Sequence, residues 1–336
     1  MTYVGMDLHK NFLQIATMDD KGNLLQNTRI DNDLEAVNKF FQNMPDDHIK
    51  VVMESSSVWY NIYCYLRYER NLDVILSNPL KTKAIASAKI KTDKIDAKVL
   101  ADLLRGGYIA ECYVPDKKIM QLRDLVKHRE FLVRLRTKMK NRIHAILLMN
   151  GIRITGAKQP FSKIYVQHLK DLQNYRIDGY IRLIDSLNCE INCVSTMIHR
   201  FAQEDRMASL LTSIPGIGYY SALLISSTIG DINRFPDSHH LCAYAGLVPT
   251  TYSSGGTTYH GRITRTGSRY LRWVLAECVH SHIRYQKDSN ITRFYHRIAK
   301  RRGNAKATVA ATSKLLRIVY WVLKEQREYR HITVKE

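Results

Sequence analysis

The order of strand-like and helix-like patterns near the N-terminus most constrains the fold of this chain. Three short runs of strand type follow one another at residues 2–7, 12–18 and 23–29. Helical and strand patterns then alternate up to residue 104, beginning with an amphipathic segment at residues 33–41. Successive strands at short spacing favour an antiparallel meander, and strands separated by helices favour parallel pairing. The order β-β-β-α-β-α-β-α therefore predicts a mixed α/β sheet with helices around it.

Four acidic residues fall where such a sheet would collect them. Asp7 ends the first predicted strand, and Glu54 ends the fourth, which we expect to run parallel to the first. Asp93 and Asp96 are three residues apart on a predicted helix, so both carboxylates leave one helix face. Groups at the carboxyl ends of strands meet at one edge of an open α/β sheet, and carboxylates that converge there repel one another. Since Mg²⁺ prefers oxygen ligands, the sequence predicts a Mg²⁺ site formed by these four residues.

Two lysines flank the acidic pair on the predicted helix. Lys91 and Lys94 neutralise the acidic pair only weakly, because the two carboxylates point outward from the same helix. Both lysines are candidates for contact with nucleic acid. The plainer interpretation of this Lys/Asp-rich turn, taken alone, is a solvated helix face. The acidic residues at the strand ends favour the metal site instead.

The net charge bounds the class of partner. Lys and Arg number 51 against 31 Asp and Glu, which gives +20 and a pI near 9.7. This charge favours a polyanionic partner, most simply nucleic acid. An anionic membrane surface is less favoured, because the sequence has no separate basic amphipathic segment that would anchor it there. No apolar run approaches the ~20 residues of a membrane span, and the N-terminus lacks the features of a signal peptide. The six cysteines include no Cys-x-x-Cys pair, so we expect reduced thiols, no zinc site and a cytoplasmic location.

The middle of the chain, residues 115–205, has a helical and basic character. A long helix is predicted over residues 117–150, where apolar residues such as Leu132 and Met139 recur every seven positions. Residues 116–142 hold ten Lys/Arg against three acidic residues. The pattern predicts a coiled coil or helix pair with an antiparallel return, whose basic face is either solvated or in contact with phosphates.

The remaining part, residues 206–336, is predicted to be mainly α-helical. The segment IPGIG at residues 214–218 lies between two predicted helices and is typical of a helix-hairpin-helix element. Gly216 and Gly218 would let the backbone approach a phosphate at a helix N-terminus. A plain tight turn is the alternative interpretation.

A Gly/Ser/Thr-rich passage over residues 245–267 leads into another helix. A flexible linker would have a similar composition, but linkers do not usually carry arginines at spacings of three to four. Such guanidinium groups are suited to phosphate oxygens, and a serine hydroxyl among them is placed to attack phosphorus. The arginines that follow this spacing are Arg262, Arg265, Arg269 and Arg272.

These motifs together resemble the DEDD transposases of the insertion sequence 110 family. The segments GMDLHK, VVMESS and KTDKIDA carry the four acidic positions of that family. The segment from IPGIG through AGLVPTTYSSGGTTYHGRITRTGSRYLRWVL resembles its second conserved domain. The resemblance implies a ribonuclease H-like, RuvC-like domain at residues 1–114. A helical coiled-coil linker at residues 115–205 and a transposase domain at residues 206–336 would follow.

The resemblance also implies a mechanism and partners. The acidic quartet would bind Mg²⁺, and Ser254 would attack a DNA phosphodiester to form a phosphoserine link before strand exchange. Ser253 is adjacent and stays an alternative nucleophile. Thr257 stands where a basic residue is frequent in the family, a departure that concerns substrate contact. Donor and target DNA, a structured non-coding guide RNA and a dimer or tetramer of the chain are the implied partners.

Two other functions are compatible with parts of the sequence. The four acidic residues alone would also suit a RuvC-like junction nuclease that cuts by hydrolysis and needs no serine. The charge and the predicted coiled coil alone would suit a non-catalytic nucleic-acid scaffold. The serine passage separates the recombinase from the nuclease, and the acidic residues separate both from the scaffold.

Overall fold

The chain forms two compact units in a computed structural model that describes residues 1–44, 48–85 and 92–330. The first unit is Met1–Val114 and the second is Pro115–Glu336. The predicted division of the chain into three parts, at residues 114 and 205, stays a prediction.

The first unit is built on a five-stranded sheet in the order β3-β2-β1-β4-β5. The first three strands in sequence pair antiparallel, whereas β4 is parallel to β1 and β5 is parallel to β4. The predicted mixed sheet is therefore confirmed. Its strands are β1 (Thr2–Leu8), β2 (Phe12–Met18), β3 (Leu24–Asp31), β4 (Ile49–Glu54) and β5 (Asp73–Ser77).

Helices cover both faces of this sheet. One face packs Met6, Val51 and Phe41 into a buried cluster, and the other packs Val52 and Leu100. This two-sided burial explains why Val51, Val52 and Met53 on β4 are consecutive apolar residues that are all buried. The helices are α1 (Leu34–Gln42), α2 (Trp59–Cys64) with a π-helical turn at Tyr65–Glu69, α3 (Pro79–Ile85) and α4 (Asp93–Arg105).

Two long helices, α5 (Lys117–Met149) and α7 (Tyr175–Glu204), form an antiparallel pair in the second unit. Arg129 Nε donates to Ser195 Oγ at 2.7 Å, and Arg136 Nη1 donates to Asn188 Oδ1 at 2.8 Å. Because the partner number falls as the arginine number rises, the helices run in opposite directions, as predicted. The short helix α6 (Lys163–Asp171) packs at one end of the pair. That the pair is a coiled coil stays a prediction.

The rest of the second unit is mostly helical, with one two-stranded ribbon. Most of its helices begin after a Ser, Asp or Asn side chain that accepts a hydrogen bond from the first turn, as Asp205 and Ser289 do. Its elements are α8 (Arg206–Thr212), α9 (Tyr219–Ile229), a 3₁₀ turn at Ile232–Arg234, α10 (Ser238–Tyr244), β6 (Pro249–Ser254), β7 (Thr257–Ile263), α11 (Arg269–Tyr285), α12 (Asn290–Arg302) and α13 (Asn304–Glu325).

The two units differ sharply in charge. Residues 1–114 contain 14 Lys/Arg and 15 Asp/Glu, a net charge of −1. The remaining 37 Lys/Arg and 16 Asp/Glu give residues 115–336 a net charge of +21. All six cysteines are free thiols. Among the described residues, no helix is both long enough and apolar enough to cross a membrane.

Candidate active site

The carboxyl ends of β1 and β4 place two of the predicted acidic residues side by side. Met6 on β1 is the register partner of Met53 on β4, and Asp7 and Glu54 come next on their strands. Neighbouring strands lie about 4.8 Å apart, and side chains at matching positions of a parallel pair leave the same face. Asp7 and Glu54 are therefore directed to one face at one edge of the sheet.

Gly5 brings α4 onto that same face. A Cβ atom at Gly5 would lie 2.2 Å from the carbonyl oxygen of Ala97 and 2.5 Å from the amide nitrogen of Ala101. Only glycine permits this approach, because both contacts are with backbone atoms of α4. Asp7, two residues further along β1, faces α4 as well, since side chains alternate along a strand.

The first turn of α4 carries the other two predicted acidic residues. Thr92 is the N-cap, and its hydroxyl accepts a hydrogen bond from the Ile95 amide at 3.3 Å. Asp93 and Asp96 then lie beside the free N–H groups of the helix N-terminus, where the helix dipole favours negative charge. The cap and the dipole together fix the position of these carboxylates near the sheet edge.

A cluster of Asp7, His9 and Asp93 forms where β1 ends and α4 begins. His9 Nε2 lies 3.1 Å from Asp7 Oδ2 and 3.4 Å from Asp93 Oδ1. One ligand atom of each of the three residues lies within 4.8 Å of the other two. Within the described part of the chain, Glu54 and Asp96 are not members of this cluster. The structure thus brings Asp7 and Asp93 together and places Glu54 and Asp96 on the adjoining strand and helix turn.

His9 is the member of this cluster that sequence reasoning missed. Its ring stacks on Phe12 with centroids 4.5 Å apart, and the Arg29 guanidinium covers the Phe12 ring at 3.5 Å. These contacts hold the imidazole against the carboxylates. The spacing Asp-x-His at a strand end was the signal in the sequence, because it places a nitrogen ligand beside the first carboxylate.

The electrostatic environment of Asp7 fits a site for a cation. Burial raises the pKa of the Asp7 carboxyl above its ordinary value, His9 opposes the rise, and Asp96 and Asp93 add to it. A bound divalent cation would reverse this cost by neutralising the carboxylates. Carboxylate oxygens suit hard divalent cations such as Mg²⁺, whereas an imidazole nitrogen is a better ligand for transition metals. The arrangement can therefore hold a divalent metal.

Of the two lysines predicted to contact nucleic acid, the structure describes one. Lys94 is exposed on α4, and its carbonyl oxygen accepts a hydrogen bond from Asn27 Nδ2 at 2.9 Å. Lys94 thus stays exposed in the first turn of α4, next to Asp93 in the sequence. Lys91 lies outside the described residues.

The predicted serine passage forms a β-hairpin, which its composition did not predict. Ser254 pairs with Thr257 at the end of the ribbon, and Gly255 and Gly256 form the two-residue turn with φ of +57° and +81°. Positive φ at both central positions gives the hairpin turn that matches the twist of the strands. Thr and Tyr residues, which favour strands, occupy much of both strands. The composition concealed these strands because Gly, Ser and Thr are also typical of loops.

The two candidate serines differ in their surroundings. Ser253 Oγ lies 3.2 Å from Thr258 Oγ1, its cross-strand partner. Ser254 is exposed at the tip, and among the described residues no hydrogen bond involves its hydroxyl. Consecutive residues of a strand point to opposite faces, so the two hydroxyls leave opposite sides of the ribbon.

The four predicted arginines occupy three kinds of environment. Arg262 is exposed on β7, and Arg265 follows it with a left-handed backbone at φ +55°. Arg269 begins α11 and lies over the Tyr270 ring at 5.2 Å. Arg272 Nη1 instead donates to backbone carbonyls of the segments before and after the hairpin, with the shortest contacts at 2.9 Å. Arg272 thus has a structural role that the sequence did not indicate, in closing the base of the hairpin.

The two glycines of IPGIG also differ. A Cβ at Gly216, where φ is +92°, would lie 2.7 Å from the Cys278 carbonyl oxygen and 2.7 Å from the His282 nitrogen on α11. Buried His282 in turn contacts the Pro215 carbonyl through Nδ1 at 2.7 Å. Gly218 is exposed and has open space around it. The geometry gives Gly216 a packing function and leaves Gly218 exposed, and contact of either glycine with a phosphate stays a prediction.

Comparison with known protein families gives two matches in chain order. Residues 4–150 match a family described as transposase, the DEDD type of IS110. Residues 208–296 match the family described as transposase IS116/IS110/IS902. Together the two matches cover most of the chain and include every acidic, glycine and serine candidate described above.

Individual relatives extend the similarity. The transposase for insertion sequence element IS1111A of Coxiella burnetii is 25% identical over 346 residues, covering 97% of this chain and 91% of that protein. The pilin gene-inverting protein of Moraxella bovis is 27% identical over 348 residues, covering 98% of this chain and 97% of that protein. The y4qE protein of Sinorhizobium fredii is 27% identical over 235 residues, covering 69% of this chain but only 58% of that protein.

Proposed function

The chain belongs to the IS110 family of transposases, and we propose that it cuts and rejoins DNA through attack of the Ser254 hydroxyl on a phosphodiester. In this step a bond forms between the serine oxygen and phosphorus, while the bond from phosphorus to one deoxyribose oxygen breaks. The serine proton passes to a general base, and the leaving oxygen takes up a proton. A deoxyribose hydroxyl of another strand then attacks the phosphoserine and releases Ser254, which rejoins the DNA without an external energy source.

The position of Ser254 carries this proposal. A nucleophile has to reach a phosphodiester within a bulky polyanion, and a side chain at the tip of an exposed hairpin meets that requirement. Ser253 is less suited, because its hydroxyl already contacts Thr258 across the ribbon. Arg262 and Arg265 lie on the strand and loop that follow, where guanidinium groups can stabilise charge on the phosphate oxygens.

The proposed metal site is the acidic edge of the first unit, by which we mean the sheet edge and helix turn that carry Asp7, Glu54, Asp93 and Asp96. The family implies a divalent metal, and we propose Mg²⁺, held by Asp7, Glu54, Asp93 and Asp96. When bound, the ion would neutralise charge on the phosphate and on the leaving oxygen. The residues themselves orient these ligands, since strand register fixes Asp7 beside Glu54 and the Thr92 cap fixes the turn of α4. The raised pKa of Asp7, caused by burial and by the nearby Asp96 and Asp93, supports a cation at this place.

The fold of the first unit is proposed to be ribonuclease H-like, of the RuvC type. The support is the sheet order β3-β2-β1-β4-β5, in which three antiparallel strands are extended by two parallel ones. Acidic residues at the ends of the adjacent strands β1 and β4 are the second support. We also propose that the α5–α7 pair is a coiled coil and that it takes part in forming a dimer or tetramer.

A structured guide RNA is the further proposed partner beside donor and target DNA. The family resemblance motivates it, and the net charge of +21 on residues 115–336 suits more than one polyanion. Base pairing by such an RNA would select sequence, while the protein contacts backbone and shape. Sequencing of RNA that is retained on the purified protein tests this partner.

The test of the serine mechanism is the capture of a covalent protein–DNA adduct. The full-length protein is incubated with end-labelled DNA from its own element and Mg²⁺, and adducts are separated under denaturing conditions. We expect Ser254→Ala to reduce adduct formation by about 10³-fold or more, as removal of a nucleophile does in other enzymes. Asp7→Asn should abolish both adducts and strand cleavage.

Ser253→Ala is the matched control, because it removes a neighbouring hydroxyl from the opposite face of the ribbon. This variant should keep forming adducts. Adducts that persist in Ser254→Ala would contradict the proposed nucleophile. Cleavage that needs Asp7 but yields free ends without any adduct would favour the second candidate function, a hydrolytic junction nuclease, which the acidic edge alone would suit.

A further inference from the structure

A basic groove of about 1130 Å³ lies beside the base of the β6–β7 hairpin. Its walls come from the start of β6, the end of β7 and the facing surfaces of α12 and α13. Among the described residues, no Asp or Glu lines it. Five cationic side chains do, namely Arg262, Arg265, Arg302, Lys306 and Arg317.

These cations have no counter-charge within the described part of the protein. No salt bridge or hydrogen bond involves the side chains of Arg302, Lys306 or Arg317, and all three are exposed. Five positive charges around one concave surface repel one another, and a groove lined by one sign of charge concentrates ligands of the opposite sign. The groove therefore suits a polyanion, whose phosphates would replace the missing carboxylates.

The surface of α13 along the groove has the pattern that a phosphate backbone needs. Lys306, Ala310, Ser313 and Arg317 follow one another at helical spacing on a single stripe. The eleven helical steps from Lys306 to Arg317 span about 16 Å, which matches roughly five phosphates of one DNA strand at about 3.4 Å each. Small side chains between the two cations leave room for the backbone to come close.

We propose that this groove holds the sugar-phosphate backbone of the DNA strand that Ser254 attacks, a placement that rests on the proposed function. The groove and the serine share one hairpin, since Pro249 lines the groove and Ser254 ends the same strand. Five residues of extended strand cover about 17 Å. A strand that leaves the groove along the hairpin therefore reaches the serine hydroxyl after roughly five further phosphates. Arg302, Lys306 and Arg317 are thereby assigned as DNA-binding residues.

The test is the salt dependence of DNA binding by the full-length Lys306→Ala/Arg317→Ala variant. Fluorescence anisotropy is measured with labelled DNA from the element end and with RNA of the same sequence, between about 50 and 200 mM salt. Loss of two phosphate contacts should lower the slope of log affinity against log salt by nearly two and weaken DNA binding about tenfold. Both substitutions replace exposed helical residues with alanine, a good helix former, so folding should be kept, which circular dichroism checks.

Arg176→Ala/Arg182→Ala is the matched control. Both arginines are exposed on α7, outside the groove, and their removal lowers the net charge by the same amount. This variant should bind DNA with the wild-type slope. A wild-type DNA slope in the groove variant overturns the proposal, and so does a loss confined to RNA, because the occupant would then be RNA.

The binding assay separates this inference from the proposed function. Ser254→Ala should lose adducts while it keeps the wild-type salt slope for DNA. If the groove variant binds DNA normally and the wild-type protein still forms adducts through Ser254, the groove assignment is wrong and the function stands. If adducts form without Ser254, the proposed function is wrong, and the anisotropy slopes still decide whether the groove binds DNA.

Discussion

Asp7 combines two properties that are hard to satisfy in one residue. It is a largely buried carboxylate, with a side chain only 13% exposed, and it lies in contact with His9. Burial and the neighbouring aspartates raise its pKa, so the ionised form that the proposed metal site requires is the costly form in the metal-free protein. Functional residues often carry such a cost, which the ligand relieves.

Asp7→Asn should therefore stabilise the metal-free protein at neutral pH. Because the folded-state pKa of Asp7 is raised, its favourable contribution is complete below the ordinary pKa and is lost as pH rises through the folded value. We expect the variant to gain roughly 0.5–2 kcal/mol in free energy of unfolding near pH 7, with the gain shrinking as pH falls toward 4. Denaturant unfolding in chelator at several pH values measures it.

The same experiment with Mg²⁺ supplies the contrast. The wild-type protein should gain stability on addition of the ion, whereas Asp7→Asn should gain little, because binding to the folded state alone stabilises it. Asp20→Asn is the control with the opposite sign, since a hydrogen bond from the N-terminal amino group lowers the pKa of Asp20. A metal-free Asp7→Asn protein that is less stable than wild type near pH 7 would refute this account.

The candidate site could be predicted only as far as residue type and element order allow. Asp7 and Glu54 at strand ends and Asp93 on a following helix were predictable, because strand register and helix periodicity are local properties. The contact of His9 with Asp93 was not, because it depends on how closely α4 approaches β1. Strand order alone does not specify that approach.

At the scale of elements, glycines decide which surfaces can touch. Gly5 allows α4 to lie against β1, and Gly216 allows the IPGIG turn to lie against α11. The sequence favoured a phosphate-binding interpretation for Gly216, and its packing against α11 depends on a helix that begins more than 50 residues later. The β6–β7 hairpin was missed for a related reason, because its turn chemistry lies in two glycines that a flexible loop would also contain.

Gly5→Ala tests the contact between α4 and β1. The added methyl group would meet two backbone atoms of α4, so the helix has to shift and the carboxylates of its first turn move with it. We expect a loss of roughly 1–3 kcal/mol in free energy of unfolding, together with weaker Mg²⁺-dependent stabilisation. Chemical denaturation with and without Mg²⁺ measures both effects.

Gly179→Ala is a suitable control for that substitution. Gly179 lies inside α7, and the nearest atom that an added methyl group would meet there belongs to the flexible Arg182 side chain, at 3.9 Å. Alanine there should stabilise the helix by roughly 0.5–1 kcal/mol. Equal effects of the two substitutions would show that the approach of α4 to β1 does not depend on Gly5.

At the scale of the whole molecule, the division of charge matches the division of the proposed tasks. The first unit, with a net charge of −1, carries the acidic edge, and strong positive charge there would compete with a metal ion. The second unit, with +21, carries the hairpin and the basic groove. The composition gives the total net charge of the chain, but the charge of each unit can be calculated only once the boundary at Val114 is known.

A fragment of residues 115–336 should therefore retain most of the electrostatic affinity for nucleic acid. We expect its salt slope for duplex DNA to be close to that of the full chain, because counterion release depends on the number of phosphate contacts. Residues 1–114 should show little salt-dependent binding without a divalent metal. Anisotropy titrations of both fragments and the full chain make the comparison, and an equal share of the slope in the two fragments would count against the division of tasks.

The number of residues in the strands of the β6–β7 hairpin determines which face of the ribbon carries the Ser254 hydroxyl. Which hydroxyl is presented to the outside depends on parity, since each step of one residue along a ribbon exchanges its two sides. One residue added to or removed from Pro249–Ser254 is thus expected to turn the hydroxyl of Ser254, the proposed nucleophile, to the opposite face of the ribbon. Under the proposed mechanism, the length of this ribbon therefore decides whether the protein can join DNA strands.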